Sequence, residues 1–156
     1  MYDYLQKNGY INIIYTGYDL VPEMIAGAKE NYPAAEFQVK NFLEDDLPEQ
    51  DIICVSGSLN IIYDTAANQI EHIKKAIAKM YAAAKLICVF NLLDKDTEWM
   101  YDQDPRFYYT NKKEIYKYCL ELCPQARLID GYLPNDFTVL LPRQTQTPAN
   151  PGYAKY

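Results

Sequence analysis

The sequence is poor in glycine and histidine. Its 156 residues include six glycines, none of them two positions from another, and one histidine, His72. Without a Gly-x-Gly pattern, there is no glycine-rich turn of the kind whose backbone closely approaches a bound nucleotide. His72 stands beside Glu71 and near Lys74, and we interpret it as a surface residue. The sequence therefore offers no histidine cluster for metal binding.

Basic residues are also in the minority. Fifteen lysines and arginines stand against twenty-one aspartates and glutamates, which gives a net charge of −6. An acidic protein repels nucleic-acid phosphates and anionic lipids, so neither nucleic acid nor membrane is an expected partner. No apolar run approaches the roughly 20 residues of a membrane helix, and no basic leader opens the sequence. We expect a cytoplasmic protein with a small or neutral ligand.

The four cysteines form no motif for a metal or a disulfide. They are Cys54, Cys88, Cys119 and Cys123, without a Cys-x-x-Cys pair. Cys54 and Cys88 lie within apolar runs, where a thiol behaves as a small hydrophobic group. Cys119 and Cys123 stand near the end of a predicted helix. We therefore predict reduced, structural thiols and no metal site.

What the sequence does contain is an alternation of strand-like and helix-like segments, typical of an α/β fold whose parallel sheet is flanked by helices. The predicted helices are Met1 to Asn8, Pro22 to Asn31, Asp64 to Ala84 and Asn111 to Leu122. The predicted strands are Ile11 to Tyr18, Glu36 to Val39, Asp51 to Ser56, Lys85 to Leu93, Arg127 to Tyr132 and Phe137 to Leu141. The short link between the last two forces an antiparallel hairpin. Residues 1–143 are predicted as one domain and residues 144–156 as a loose tail.

An acidic residue at a strand end suggests a chemical role. The run INIIYTGYDL closes on Asp19 and Leu20, and a helix with proline in its first turn follows at once. A carboxylate at the carboxyl end of a parallel strand can accept hydrogen bonds from both hydroxyls of a ribose, which indicates a nucleoside-bearing cofactor. The alternative is that Asp19 is simply the N-cap of the helix.

The succession of segments resembles a known family. In order, the segments are YTGYDLVPEMIAGAKENYP, FQVKNFLEDDLPEQDIICVSGSLN, AKLICVFNLL and YLPNDFTVLL. This order is similar to that of class I S-adenosylmethionine-dependent methyltransferases, from about Gly9 to Pro142. The resemblance implies a Rossmann-like methyltransferase sheet flanked by helices, with a C-terminal antiparallel hairpin. NAD-binding Rossmann domains lack that hairpin, so an NAD-dependent oxidoreductase ranks last.

The resemblance also implies a site for S-adenosylmethionine. Asp19 corresponds to the acid that holds the ribose, and Asn41 stands where the family usually has an aspartate that binds the adenine amino group. The amide oxygen of Asn41 can accept the same hydrogen bond, without the charge. The plainer interpretations are a turn residue at Asn41 and an ordinary loop at Ser56 to Asn60. The implied cofactor-binding residues are Asp19, Leu20, Asn41, Phe42, Ser56 and Gly57. No catalytic residue is assigned, because the protein mainly orients an activated sulfonium.

The amino end departs from the family pattern. The family's first strand and glycine-rich turn have no counterpart in this sequence, so we expect the chain, truncated relative to the family, to bind S-adenosylmethionine weakly or not at all. The missing strand belongs between Ile11 to Tyr18 and Asp51 to Ser56, where each unpaired buried group costs about 1 to 3 kcal/mol. We expect direct pairing of these two strands, a longer natural protein, or a strand from a second chain to close the gap, and favour a homodimer.

Two functions stay open at this point. The first is methyl transfer to a small-molecule acceptor, with an aromatic segment covering the acceptor. That segment comprises Trp99, Tyr101, Phe107, Tyr108 and Tyr109. The second is a non-catalytic, methyltransferase-like scaffold that acts by association. Asp19 favours the first function, and the missing glycine turn favours the second.

Overall fold

The computed structural model of the protein describes residues 1–62, 66–96 and 104–143. Its helices are α1 (Tyr2–Lys7), α2 (Pro22–Asn31), α3 (Ala66–Ala83) and α4 (Lys112–Leu122). Its strands are β1 (Thr16–Asp19), β2 (Glu36–Val39), β3 (Gln50–Val55), β4 (Ala84–Leu93), β5 (Arg127–Asp130) and β6 (Asp136–Pro142). The predicted α/β class, with helices flanking a sheet, is confirmed.

The chain divides after Leu47 into two compact units, a first unit of Met1–Leu47 and a second unit that begins at Pro48. The single domain over residues 1–143 stays a prediction. The predicted helix start at Asp64 and the tail at residues 144–156 lie outside the described residues.

The first unit contains a two-stranded parallel sheet and two helices. β1 and β2 pair in parallel, beginning with Thr16 opposite Glu36. α2 connects them and has Pro22 in its first turn, where the fixed φ and the missing N–H of proline suit a helix start. The bounds of α2 and β2 are those predicted. Ile25 of α2 and Phe37 of β2 are the buried hydrophobic residues of this unit.

Gly17 lies where β1 passes close to an aromatic ring. A Cβ at this position would stand 2.6 Å from Cδ1 and 2.8 Å from Cε1 of Phe37, too close for any side chain without a shift of the ring. Tyr15 packs on the same ring at 6.0 Å between centroids, and Tyr2 packs on Tyr15 at 5.2 Å. The glycine therefore makes room for the aromatic cluster of the first unit.

β1 is shorter than the predicted strand from Ile11 to Tyr18. The ladder begins only at Thr16, and Ile11 and Ile14 are 70% and 95% exposed. An apolar composition favours a strand, but a strand forms only where a neighbour pairs with its backbone, and β2 is four residues long. The predicted start of this strand was therefore wrong.

The second unit contains a four-stranded mixed sheet in the order β3-β4-β6-β5. β3 and β4 are parallel, whereas β6 runs antiparallel to both β4 and β5. The predicted terminal hairpin is thus confirmed, with Gly131 at a positive φ of 79° in its turn. The core lies between the sheet and the helices α3 and α4. Its fully buried residues include Phe90, Leu92, Phe137, Ile73, Ile77 and Ile115.

β3 differs from its prediction as a strand buried on both faces. It is an edge strand that pairs with β4, and its Ile52 is 61% exposed. Cys54 is also exposed, whereas Cys88, Cys119 and Cys123 are buried and no disulfide forms. The burial predicted for Cys54 was wrong, because an edge strand has one neighbour and a less covered face. β1 belongs to the sheet of the first unit and β3 to the sheet of the second, and their direct pairing stays a prediction.

Candidate functional site

The carboxyl ends of β1 and β2 bring two predicted site residues to one edge of the first unit. Asp19 is the last residue of β1 and stands opposite Val39 of β2, and Asn41 follows Val39 by two positions. The backbone oxygen of Asp19 accepts a hydrogen bond from the N–H of Lys40 at 2.9 Å, which fixes the two strand ends together. This is the edge at which parallel α/β sheets bind ligands.

Asp19 has one carboxylate oxygen in use. Its Oδ1 accepts a hydrogen bond at 2.9 Å from the backbone N–H of Val21, the residue that caps α2. Asp19 is therefore not the N-cap but braces the turn two residues before it. Its other oxygen receives no hydrogen bond from the described residues, and the side chain is half-buried. A half-buried carboxylate in a fixed orientation can accept a hydrogen bond from a ligand hydroxyl.

Asn41 opens the turn after β2. Its Oδ1 accepts a hydrogen bond from the N–H of Leu43 at 3.1 Å, and its own N–H donates to Oδ2 of Asp45 at 2.9 Å. These bonds agree with the plainer interpretation of Asn41 as a turn residue. An amide oxygen has two lone pairs, so Oδ1 retains one acceptor position.

Leu20 and Phe42 follow directly after Asp19 and Asn41. Leu20 is 43% exposed, and Phe42 is half-buried. Exposed leucine next to a polar strand end is a surface that an apolar ring can cover. Four of the six predicted cofactor-binding residues therefore lie at the carboxyl ends of β1 and β2.

Ser56 and Gly57 lie in the second unit, in the loop that follows β3. Gly57 adopts a φ of +79°, which explains why a glycine stands there, and a Cβ would meet nothing within 4 Å. Its N–H donates to Oδ1 of Asn91 at 3.0 Å. A 3-10 turn at Ser58–Asn60 follows.

Buried amides hold this loop, and sequence reasoning missed their role. Asn60 is 4% exposed, and its Oδ1 accepts a hydrogen bond from the N–H of Leu93 at 3.1 Å. Gln69 of α3 is 1% exposed and donates to the backbone oxygen of Ile61 at 2.8 Å. A buried polar side chain needs a partner, so these bonds fix the loop backbone. The available signal was Asn91, a polar residue within the apolar run AKLICVFNLL.

An open cleft of about 470 Å³ lies at the same edge of the second unit's sheet. β5 runs parallel to β4, so the carboxyl ends of β4 and β5 and the start of β6 meet there. Four carboxylates and one lysine line the cleft together with the hairpin turn, which gives a local charge of about −3. These charged residues are Asp94, Asp96, Asp130, Asp136 and Lys112.

Lys112 bridges two of these carboxylates. Its Nζ lies 3.1 Å from Asp94, which is 4% exposed, and 2.9 Å from Asp130, which is 49% exposed. The hydrogen bond to Asp130, with a further one to Asp94, raises the pKa of Lys112, so this lysine stays protonated. Burial raises the pKa of Asp136 at the start of β6. The cleft is therefore an ordered polar surface suited to hydrogen-bond donors.

Part of the aromatic segment that was predicted to cover the acceptor lies outside the described residues. Trp99 and Tyr101 lie outside the described residues, whereas Phe107, Tyr108 and Tyr109 are half-buried. The N–H of Tyr108 donates to the backbone oxygen of Asn60 at 2.7 Å, which ties this segment to the loop after β3. Within residues 1–62, 66–96 and 104–143, no group of three or more metal-ligating side chains is placed to hold an ion. In the same residues, no helix has the length and apolar character needed to cross a membrane.

Comparison by sequence gives no relative, because no family model and no curated protein matches the chain. Comparison by structure gives several. A magnesium protoporphyrin IX methyltransferase from Synechocystis, solved with S-adenosylmethionine, matches at TM-score 0.60 and 12% identity over 83% of this chain and 59% of its own. An amino pentose methyltransferase from Micromonospora echinaspora, also with S-adenosylmethionine, matches at TM-score 0.61 and 13% identity over 88% and 78%.

A third structure extends the likeness to a larger protein. An O-methyltransferase family 2 protein from Planctomyces limnophilus, in complex with apigenin, matches at TM-score 0.63 and 14% identity over 89% of this chain and 45% of its own. The chain thus spans less than two thirds of this structure and of the Synechocystis enzyme. At such identities the likeness concerns the fold. The chain therefore has the fold of the class I S-adenosylmethionine-dependent methyltransferases.

Proposed function

We propose that the protein is a methyltransferase that uses S-adenosylmethionine and methylates a small-molecule acceptor. The observation that carries the proposal is that Asp19 ends β1 and Asn41 follows the end of β2, the parallel neighbour of β1. The carboxylate of Asp19 can accept hydrogen bonds from the ribose hydroxyls, and the amide oxygen of Asn41 can accept a hydrogen bond from the adenine amino group. Leu20 and Phe42 supply the apolar contacts that an adenine ring requires.

In the second unit, Ser56 and Gly57 are proposed to face the methionine part of the cofactor. The buried amide of Asn60 and the half-buried amide of Asn91 hold this loop, so its backbone is fixed before any ligand binds. The cofactor supplies an activated methyl group, and the protein positions the acceptor for in-line attack. The polar cleft around Asp94 and Lys112 is the proposed acceptor surface.

The sequence of this chain contains no Gly-x-Gly turn, so the amino-acid end of the cofactor lacks its usual backbone donors. We therefore expect residues 1–156 to bind S-adenosylhomocysteine more weakly than micromolar. Binding should still depend on Asp19, because each charge-assisted hydrogen bond contributes about 1.5 to 3 kcal/mol, roughly tenfold to a hundredfold in affinity.

Calorimetry with adenosine and S-adenosylhomocysteine tests the site. We expect Asp19→Ala to lower the affinity for both ligands at least about tenfold. Glu30→Ala, which removes an exposed carboxylate at the end of α2, is the matched control and should leave the affinity unchanged. If Asp19→Ala and the unsubstituted chain bind with equal affinity, Asp19 has only a structural role, through its hydrogen bond with Val21. Micromolar binding of S-adenosylhomocysteine would refute the expected impairment.

A non-catalytic scaffold is the second candidate. It is favoured by the missing glycine turn and by the exposed isoleucines at Ile11 and Ile14. If no adenosine ligand binds at any concentration tested, the scaffold becomes the better description of this chain.

A further inference from the structure

The first unit leaves most of its large apolar side chains in contact with solvent. Its buried hydrophobic residues are Ile25 and Phe37. The exposed ones are Met1, Tyr4, Tyr10, Ile11, Ile13, Ile14, Leu20, Val21, Met24 and Val39. An isolated two-stranded sheet is marginally stable and gains independent stability from further strands or an apolar cover. The first unit therefore needs more buried surface than it has.

The exposed apolar residues concentrate just before β1. Tyr10, Ile11 and Ile14 are 57%, 70% and 95% exposed, and Ile13 is 39% exposed. The backbone N–H and C=O groups of residues 11–14 form no hydrogen bonds with the described residues. This segment continues directly into β1, whose ladder partner is β2. It thus combines free backbone groups with apolar side chains, as an edge strand open to pairing does.

The charge of this segment identifies what can pair with it. From Tyr10 to Tyr18 the sequence contains no charged residue and no proline, whereas the chain as a whole has a net charge of −6. Two copies of an acidic chain repel each other except where the facing surfaces carry no charge. Segment 10–18 is such a surface, and its isoleucines and tyrosines favour strand pairing.

We infer that segment 10–18 is a homodimer interface, in which two copies pair antiparallel about a two-fold axis. Each copy presents the same segment to the other, as a symmetric dimer requires. Addition of strand to strand satisfies the backbone groups of residues 11–14 and covers Ile11 and Ile14. The two-stranded sheets of the two copies then become one four-stranded sheet in the order β2-β1-β1-β2, which exceeds the three strands needed for independent stability.

Sedimentation velocity of the full chain over a range of concentrations tests the inference. We expect a reversible monomer–dimer equilibrium. Ile14→Lys should raise the dissociation constant at least about tenfold, because it places two positive charges at the pairing line. Ile14 is 95% exposed, so its replacement should leave the fold and the circular dichroism spectrum unchanged.

Ile129→Lys is the matched control. Ile129 is an exposed isoleucine, 47% accessible, on β5, which is also an edge strand. We expect this variant to dimerise like the unsubstituted chain, and hydrogen exchange at residues 11–18 to slow as the dimer forms. A monomer at every concentration would overturn the inference. So would equal dimerisation of Ile14→Lys and the unsubstituted chain, or equal loss in both variants.

Discussion

Lys112 should stabilise the second unit mainly through a buried carboxylate. Its ammonium bridges Asp94, which is 4% exposed, and Asp130, which is 49% exposed. An exposed ion pair contributes about 0 to 1 kcal/mol, whereas removing one partner of a fully buried pair costs about 3 to 5 kcal/mol. The side chain of Lys112 is itself 28% exposed, so water partly replaces it when it is removed. We therefore expect Lys112→Met to lower the free energy of unfolding by about 2 kcal/mol.

Urea unfolding followed by circular dichroism measures this loss. Lys113→Met is the matched control, because Lys113 is exposed on the same helix, and its effect should stay below about 0.5 kcal/mol. Adding Asp94→Asn to Lys112→Met should recover part of the loss, because the buried charge disappears with its partner. Asp130→Asn alone should cost under about 1 kcal/mol. If Lys112→Met costs no more than Asp130→Asn, the buried carboxylate does not depend on this lysine and the reasoning fails.

Two further predictions concern close packing and pH. Gly17→Ala should destabilise the first unit by about 1 to 3 kcal/mol, because the new Cβ would meet the ring of Phe37. In the control Gly27→Ala, the new Cβ in α2 meets nothing within 4 Å, and this variant should be more stable by up to about 1 kcal/mol. Thermal melts that change alike in the two variants would contradict the packing argument. Burial raises the pKa of the Cys88 and Cys119 thiols from 9.0 to about 12. The unfolded chain therefore loses these protons first, and stability should be complete below pH 9 and fall between pH 9 and 12 by roughly 1.4 kcal/mol per pH unit and thiol. Urea titrations across this range should show a shallower decline in a Cys88→Ala/Cys119→Ala variant, and an equal decline would exclude these thiols as its cause.

Local signals made much of the fold predictable. Pro22 marks the start of α2, and its end and the bounds of β2 were also predicted as observed. The predicted link from Leu133 to Asp136 indicated the antiparallel hairpin, because no crossover fits within four residues, and the observed link of residues 131–135 is similarly short. Asn111, the first residue of the predicted helix, caps α4 by accepting a hydrogen bond from the N–H of Glu114. In each case the information lies within a few residues of the element.

Long-range pairing was not predictable in the same way. The composition of Ile11 to Tyr18 and of Asp51 to Ser56 favours strands but does not determine how many neighbours each strand has. β1 is therefore shorter than predicted, and β3 is an exposed edge. The bridge from Lys112 to Asp130 joins residues 18 apart on a helix and a strand, and only the fold brings them together. The positions of Asp19 and Asn41 at neighbouring strand ends were predicted because both follow strands recognised from sequence.

The place of β6 in the sheet has a consequence for synthesis. β6, at Asp136–Pro142, is the last strand among the described residues, yet it lies between β4 and β5 and contributes the fully buried Phe137, Val139 and Leu141. A ribosome releases residues in order, so a nascent chain can form α3 and β4 but has no partner for the second edge of β4 until residue 142 has emerged. The second unit can therefore complete its sheet only after residue 142 has been translated, and its unfinished sheet is open to chaperones until then.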